Sequence, residues 1–225
     1  MRITRRKTRS LRVAVHPPSG DVRVSVPGYV SNVLVEQFIL ERLEWIKAQR
    51  AHFLAQPQPV CQQFISGDHI GFWGREIPLK VNEVAGRQGA RLLEDNGEEL
   101  LLLNVKSGSS DSDRRRVLER WYRGEINKVI PGLVAKWQPV VGVTINGWGV
   151  RQMKTRWGTC NITDRRIWLN LELVKMPPVC LDYVVVHEMT HLLERLHNKR
   201  FWALLDRFMP EWRSAEALLK QMEGR

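Results

Sequence analysis

The order of structural signals in this chain predicts a mixed α+β fold, with strands and helices grouped rather than alternating as βαβ units. Three observations carry that expectation. Period-two apolar runs and closely spaced turn residues dominate the N-terminal part. Two long stretches show the three-and-four spacing of amphipathic helices. The C-terminal part reads as helices punctuated by prolines.

Element by element, Leu11, Val13 and Val15, then Val22, Val24 and Val26, alternate around Pro17-Pro18-Ser19-Gly20-Asp21, which predicts a β-hairpin. A single long helix is expected from Ser31, its N-cap, to about His52, with Val35, Phe38, Ile39, Leu43 and Ile46 on one face. Gln56-Pro57-Gln58-Pro59 then breaks the chain, and residues 61–104 read as short strands separated by turns at Gly67-Asp68, Gly74, 86–89 and Asn96-Gly97. Lys106-Ser107-Gly108-Ser109-Ser110 is the expected boundary between a strand-rich region, 1–106, and a catalytic region, 107–225. A second long helix follows from Asp113 to about Lys136, interrupted at Gly124 and at Pro131-Gly132. Strands are expected at 140–145 and 166–170, a helix at about 179–196 after Pro177-Pro178, another at 199–209, and a helical tail from Trp212. No internal repeat or low-complexity tract is visible.

Composition bounds the possibilities. The chain has 225 residues, 43% hydrophobic and 26% charged, enough to fold around a substantial core. Runs such as 100–103 are too short to span a bilayer, and no apolar segment follows the basic start as a signal peptide requires. Three separated cysteines without a C-x-x-C pair fit a reduced, cytoplasmic setting. The net charge of +11 attracts polyanions, a nucleic acid or a phosphorylated substrate, or else makes a well-solvated surface. Its densest cluster is Arg2, Arg5, Arg6, Lys7, Arg9 and Arg12, with no acidic residue among the first twenty.

The chemistry concentrates in His187-Glu188-Met189-Thr190-His191. On a helix, histidines four apart share a face, and two neutral imidazoles can grip one zinc ion. Glu188 flanks that face, placed to take a proton from a zinc-activated water and later to pass it to a leaving group. Half of the six histidines fall within 187–197, and Val184, Val185, Val186, Met189, Leu192, Leu193 and Leu196 predict a buried helix. Unliganded histidines and a glutamate are costly there. His197 is the favoured third ligand, with Glu194, Glu211 and Glu216 as competitors. On an unbroken helix His197 would point roughly 120° from His191, so the helix must unwind between about Leu193 and Leu196.

With those residues in view, the chain resembles the YgjP-like (WLM/SprT-related) zinc metallopeptidases. The resemblance rests on residues 153–160 (Met-Lys-Thr-Arg-Trp-Gly-Thr-Cys), Ile167-Trp168-Leu169-Asn170, 183–191 around the histidine pair, 197–202 (His-Asn-Lys-Arg-Phe-Trp), and Met209-Pro210-Glu211-Trp212. It implies a zincin-like catalytic fold, one Zn2+ held by His187, His191 and His197, and Glu188 as base. Met189-Thr190 departs from the usual Leu-Ala or Leu-Cys, and Thr155 and Thr159 replace common serines; no ligand is lost.

Arg156 to Cys160 has two readings. It is a polar strand edge beside the metal, where a substrate backbone pairs and Arg156 steadies an oxyanion, or a packing motif in which Trp157 and Gly158 fit a sheet against the active helix. Cys160 has no histidine near in sequence to make it a nucleophile. Trp121, Trp137, Trp148, Trp168, Trp202 and Trp212 read as core or groove-lining. The expected function is a zinc-dependent peptidase acting on protein or peptide. Its rivals are a zinc-dependent nucleotide (phosphoanhydride) hydrolase and a nucleic-acid-associated module with a structural zinc.

Overall fold

The computed structural model describes residues 2–16, 20–55, 63–95 and 97–223. The expected turn at 17–19, the break at 56–59 and the turn residue Asn96 lie outside them. The fold is mixed α+β, with six α-helices and three sheets among the described residues. Two compact units emerge, Met1–Cys61 and Gln62–Arg225.

In the first unit, β2 (Arg12–His16) and β3 (Asp21–Pro27) form the expected antiparallel pair. Sequence reading missed β1 (Arg2–Arg6), which pairs in parallel with β3 and makes the order β1-β3-β2. A strand so rich in arginine lacks an apolar alternation to announce it. The single helix expected over 31–52 is two, α1 (Asn32–Glu41) and α2 (Leu43–Ala55). Ser31 caps α1 as expected, and the division falls at Arg42, whose N–H bonds to the Ile39 carbonyl in a tightened last turn. Of the expected stripe, Val35 and Ile46 reach the small core with Val22, Val24 and Val26.

The second unit contains a four-stranded sheet, β4 (His69–Phe72), β5 (Arg75–Glu83), β7 (Glu98–Val105) and β6 (Gly89–Asp95) in spatial order. It is followed by α3 (Asp111–Val141). The boundary expected at 106/107 therefore lies inside this unit, because α3 packs on β6 and β7. At 31 residues, α3 runs without the expected interruptions at Gly124 and Pro131. Its buried stripe of Val117, Leu118, Tyr122, Ile126, Ile130, Trp137 and Val141 keeps helical spacing throughout. Pro131 and Pro139 fall on the exposed side, where water can satisfy the carbonyls their missing N–H groups leave free at Asn127 and Ala135. The strand expected at 140–145 is thus the end of α3 and a loop. Gly142 closes the helix at φ 75°, a conformation suited to glycine.

A second sheet orders β8 (Gly147–Arg151), β10 (Arg166–Asn170) and β9 (Gly158–Asn161), with β10 parallel to β8 and antiparallel to β9. A 3-10 turn at Leu171–Lys175 leads to α4 (Pro178–Thr190), then α5 (Lys199–Phe208) and α6 (Trp212–Glu223). The helix expected to reach 196 ends at Thr190. One continuous core joins Ile70, Leu101, Ile126, Leu169, Leu181 and Phe201, linking both sheets to the helices. No helix among the described residues is long and apolar enough to cross a membrane.

The start of α3 is fixed by a capping box. The Ser110 hydroxyl accepts from the Asp113 N–H, while the Asp113 carboxylate accepts from the Ser110 N–H. Ser110→Ala is expected to cost about 1 kcal/mol, read as a lower urea midpoint with an unchanged slope.

Candidate metal centre

Helix α4 is enclosed on nearly every side. It touches α3, α5, α6, β9, β10 and the 3-10 turn, and Cys180, Leu181, Val184, Val185, Val186 and Met189 are all buried. Three successive valines are poor intrinsic helix formers; here the apolar area they bury outweighs that preference. This burial is what makes the two buried polar residues of the helix consequential. Glu188 is 5% exposed and Thr190 fully buried.

Thr190 turns its hydroxyl back to the Val186 carbonyl at 2.8 Å, a bond that competes with helix continuation. The chain then tightens. Leu192 bonds to Met189, and Leu193 and Glu194 both bond to the Thr190 carbonyl. Asn198 caps α5 by accepting from the Phe201 N–H at 3.0 Å. Between these two ends the backbone reverses and carries His197 back over α4. Its Nε2 lies 2.9 Å from the Nε2 of His187. One ligating atom each from His187, His191 and His197 lies within 4.8 Å of the others. Among the described residues this is the one such cluster of three or more metal-ligating side chains. Glu194, Glu211 and Glu216 are not in it: Glu194 approaches Arg200 at 3.7 Å and Glu216 pairs with Lys220 at 2.7 Å.

The surroundings tune these groups. Burial, reinforced by the charges of His191 and His197, pushes His187 down to about 3. Burial also lowers His191, opposed by its Nδ1 contact with the Glu194 carbonyl at 3.2 Å. With its proton on that Nδ1, His191 presents the Nε2 lone pair to the cluster. Burial raises Glu188 to about 8, against the positive charge of Arg156. Cys160 borders the same cavity, but burial and then the Glu188 charge raise its thiol to about 11, so it stays protonated.

Aromatic residues hold the triad. Phe201, wholly buried, lies 4.9, 4.7 and 4.7 Å from the ring centres of His187, His191 and His197. His197 stacks on Trp202, Trp202 on Trp212, and Trp212 on Tyr183, whose edge returns to His187. Trp202 and Trp212, expected as core or groove-lining, also brace the triad; the available signal was Phe201 and Trp202 four and five residues after His197.

Beside the helix, β9 is an edge of its sheet. Arg156, Thr159 and Cys160 line a cavity of about 660 Å3 with His187, Glu188 and His191. A buried asparagine, also without an assigned role from sequence, secures this wall. The Asn170 side chain accepts from the Met153 N–H and donates to the Met153 and Arg156 carbonyls, while its backbone N–H donates to Trp157. Residues of the 156–160 segment border the cavity, and Gly158 is a packing contact. A Cβ at Gly158 would lie 2.6 Å from Oε1 of Glu188 and 2.8 Å from Val184.

The family described as YgjP-like, metallopeptidase domain, matches residues 9–222. Among solved structures, the metallopeptidase zymogen of Pyrococcus abyssi abylysin is similar over 43% of this chain and 96% of its own, at 18% identity and a TM-score of 0.39. No curated protein matches.

Close approach at Gly158 gives a direct expectation. Gly158→Ala should destabilise the protein by about 1–3 kcal/mol through overpacking and displace the Glu188 carboxylate. A calorimetric scan and a crystal structure of the variant check it; an unmoved carboxylate and unchanged stability contradict it.

Proposed function

Because the chain belongs to the YgjP-like metallopeptidase family, we propose that it is a zinc peptidase in which His187, His191 and His197 hold one Zn2+ and Glu188 is the general base. The observation that carries this reading is the Nε2–Nε2 distance of 2.9 Å between His187 and His197. Two imidazole lone pairs at that separation repel unless a proton or a cation lies between them. A single N–H can join only two of the three rings, whereas a cation takes a lone pair from each of the three clustered histidines. Zinc at about 2.0–2.1 Å from each nitrogen in tetrahedral geometry needs nitrogens roughly 3.3 Å apart, a spacing this cluster reaches with small side-chain shifts. Three protein ligands, rather than four, favour a catalytic over a structural ion.

An ion held by His187, His191 and His197 would supply Lewis acidity, polarising a peptide carbonyl and making water a nucleophile near neutral pH. Glu188 removes the proton of that water as its oxygen attacks the carbonyl carbon. The protonated carboxyl, which burial favours, then delivers that proton to the departing amine when the C–N bond breaks. Arg156, at the cavity wall, offsets negative charge developing on the carbonyl oxygen. The unpaired edge of β9 can add an extended substrate strand by main-chain hydrogen bonds, presenting a peptide bond to the triad. Family membership favours a peptide bond over a phosphoanhydride as the bond cleaved.

Glu188→Gln is expected to retain one zinc per chain by elemental analysis while hydrolysis of an unfolded protein falls about 10²- to 10⁴-fold. Undiminished hydrolysis sinks the assignment of the base, and turnover of nucleoside triphosphates without peptide hydrolysis sinks the peptidase. His197→Ala should weaken zinc binding by at least about a hundredfold, more than the 10–100-fold typical of residues that merely support ligands, whereas Glu216→Ala should leave it unchanged. The reverse ranking would make Glu216 the third ligand.

A further inference from the structure

The first unit carries a feature that the peptidase reading does not use. Val22, Val24 and Val26 of β3 point into its core, so Asp21, Arg23 and Ser25 lie on the opposite face. The register sets Arg2 beside Arg23 and Thr4 beside Ser25 on β1, with Arg6 two residues further along the same face. On β2 it sets Arg12 beside Ser25, Ala14 beside Arg23 and His16 beside Asp21. One face of this three-stranded sheet therefore presents Arg2, Arg6, Arg12 and Arg23, all exposed. None of the four is held in an ion pair among the described residues. By contrast Arg5, on the other face, is engaged: it donates to the Val30 carbonyl at 2.8 Å and to Asn32 at 2.7 Å. Exposed Lys7 and Arg9, in the β1–β2 connection, extend the charge. Residues 1–61 contain ten Lys and Arg against four Asp and Glu.

We propose that this sheet face binds the phosphate backbone of duplex nucleic acid, without reading its bases. The face supplies arginine and no lysine, and the planar guanidinium fork matches phosphate oxygens. Arg2 and Arg23 sit about 5 Å apart on neighbouring strands, Arg12 is one strand and two residues away from Arg23, and Arg6 lies about 13 Å along β1 from Arg2, an array of fixed charge suited to a polymer with one charge per roughly 1.7 Å of duplex axis. No Phe, Tyr or Trp lies on the face to stack on unpaired bases, which disfavours single strands. Its other residues are Thr4, Ser25, Ala14, His16 and Asp21, none an apolar anchor for a bilayer interface. The assignment does not depend on the metal centre.

The test is fluorescence anisotropy of the full chain with a labelled mixed-sequence DNA duplex across a salt series. Wild-type protein should bind with a steep negative slope of log K against log salt. The quadruple variant Arg2→Gln, Arg6→Gln, Arg12→Gln, Arg23→Gln should lower that slope by about 3 to 4, near 0.9 per lost phosphate contact. The corresponding quadruple Arg→Lys variant should retain it, and peptide hydrolysis should be unchanged in both. If the glutamine variant fails to fold, Arg2→Gln and Arg23→Gln alone should each lower the slope by about 1. Wild-type slope and affinity in the glutamine variants would overturn the proposal. So would a wild-type chain that ignores the duplex, prefers single-stranded DNA, or instead binds poly-glutamate or phosphatidylserine vesicles.

Discussion

The enclosure of α4 is the constraint on which the rest of the second unit depends. A helix wrapped by α3, both later helices and two strands of one sheet has little solvent to hydrate polar groups, and yet it carries His187 and Glu188. Desolvation explains why the imidazole of His187 is pushed toward neutrality and the carboxyl of Glu188 toward protonation. Both shifts are costs to an empty, rigid core, and both are the properties a metal ligand and a proton carrier need. Stability and chemistry pull in opposite directions on one helical turn.

The structure supports that turn with material from far along the chain. Asn170 anchors the Met153–Trp157 segment through both faces of its amide, so the cavity wall carrying Arg156 is tied to the end of β10. On the other side, the stacked series from His197 through Trp202 and Trp212 to Tyr183 spreads the placement of one ring over α5, α6 and α4. Residues remote in sequence thus fix the approach of groups that themselves span only 187–197.

How much of this was legible beforehand follows from the range of each interaction. The four-residue spacing of His187 and His191 is local geometry, and sequence alone predicted it. The need for the helix to unwind before His197 could also be argued from angle, and α4 does end early, at Thr190. What escaped prediction was decided by tertiary burial. Pro131, read as a helix break, lies on the wet side of α3, and its buried stripe carries the helix through to Val141, into positions read as a strand. β1 has no apolar pattern and exists because β3 pairs with it. Asn170 gains its importance from backbone partners at Met153, Arg156 and Trp157 that no local pattern reveals.

The compactness of the histidine cluster in the sequence has a kinetic consequence. His187 and His197 are joined by a single reversal of chain, and closing a loop of about ten residues costs only about 2 kcal/mol by the logarithmic length rule. The three rings can therefore meet while most of the sheet pairing is still absent. An ion captured at that stage would act as a nucleus, setting the end of one helix and the beginning of the next before long-range β contacts, which form slowly, are in place.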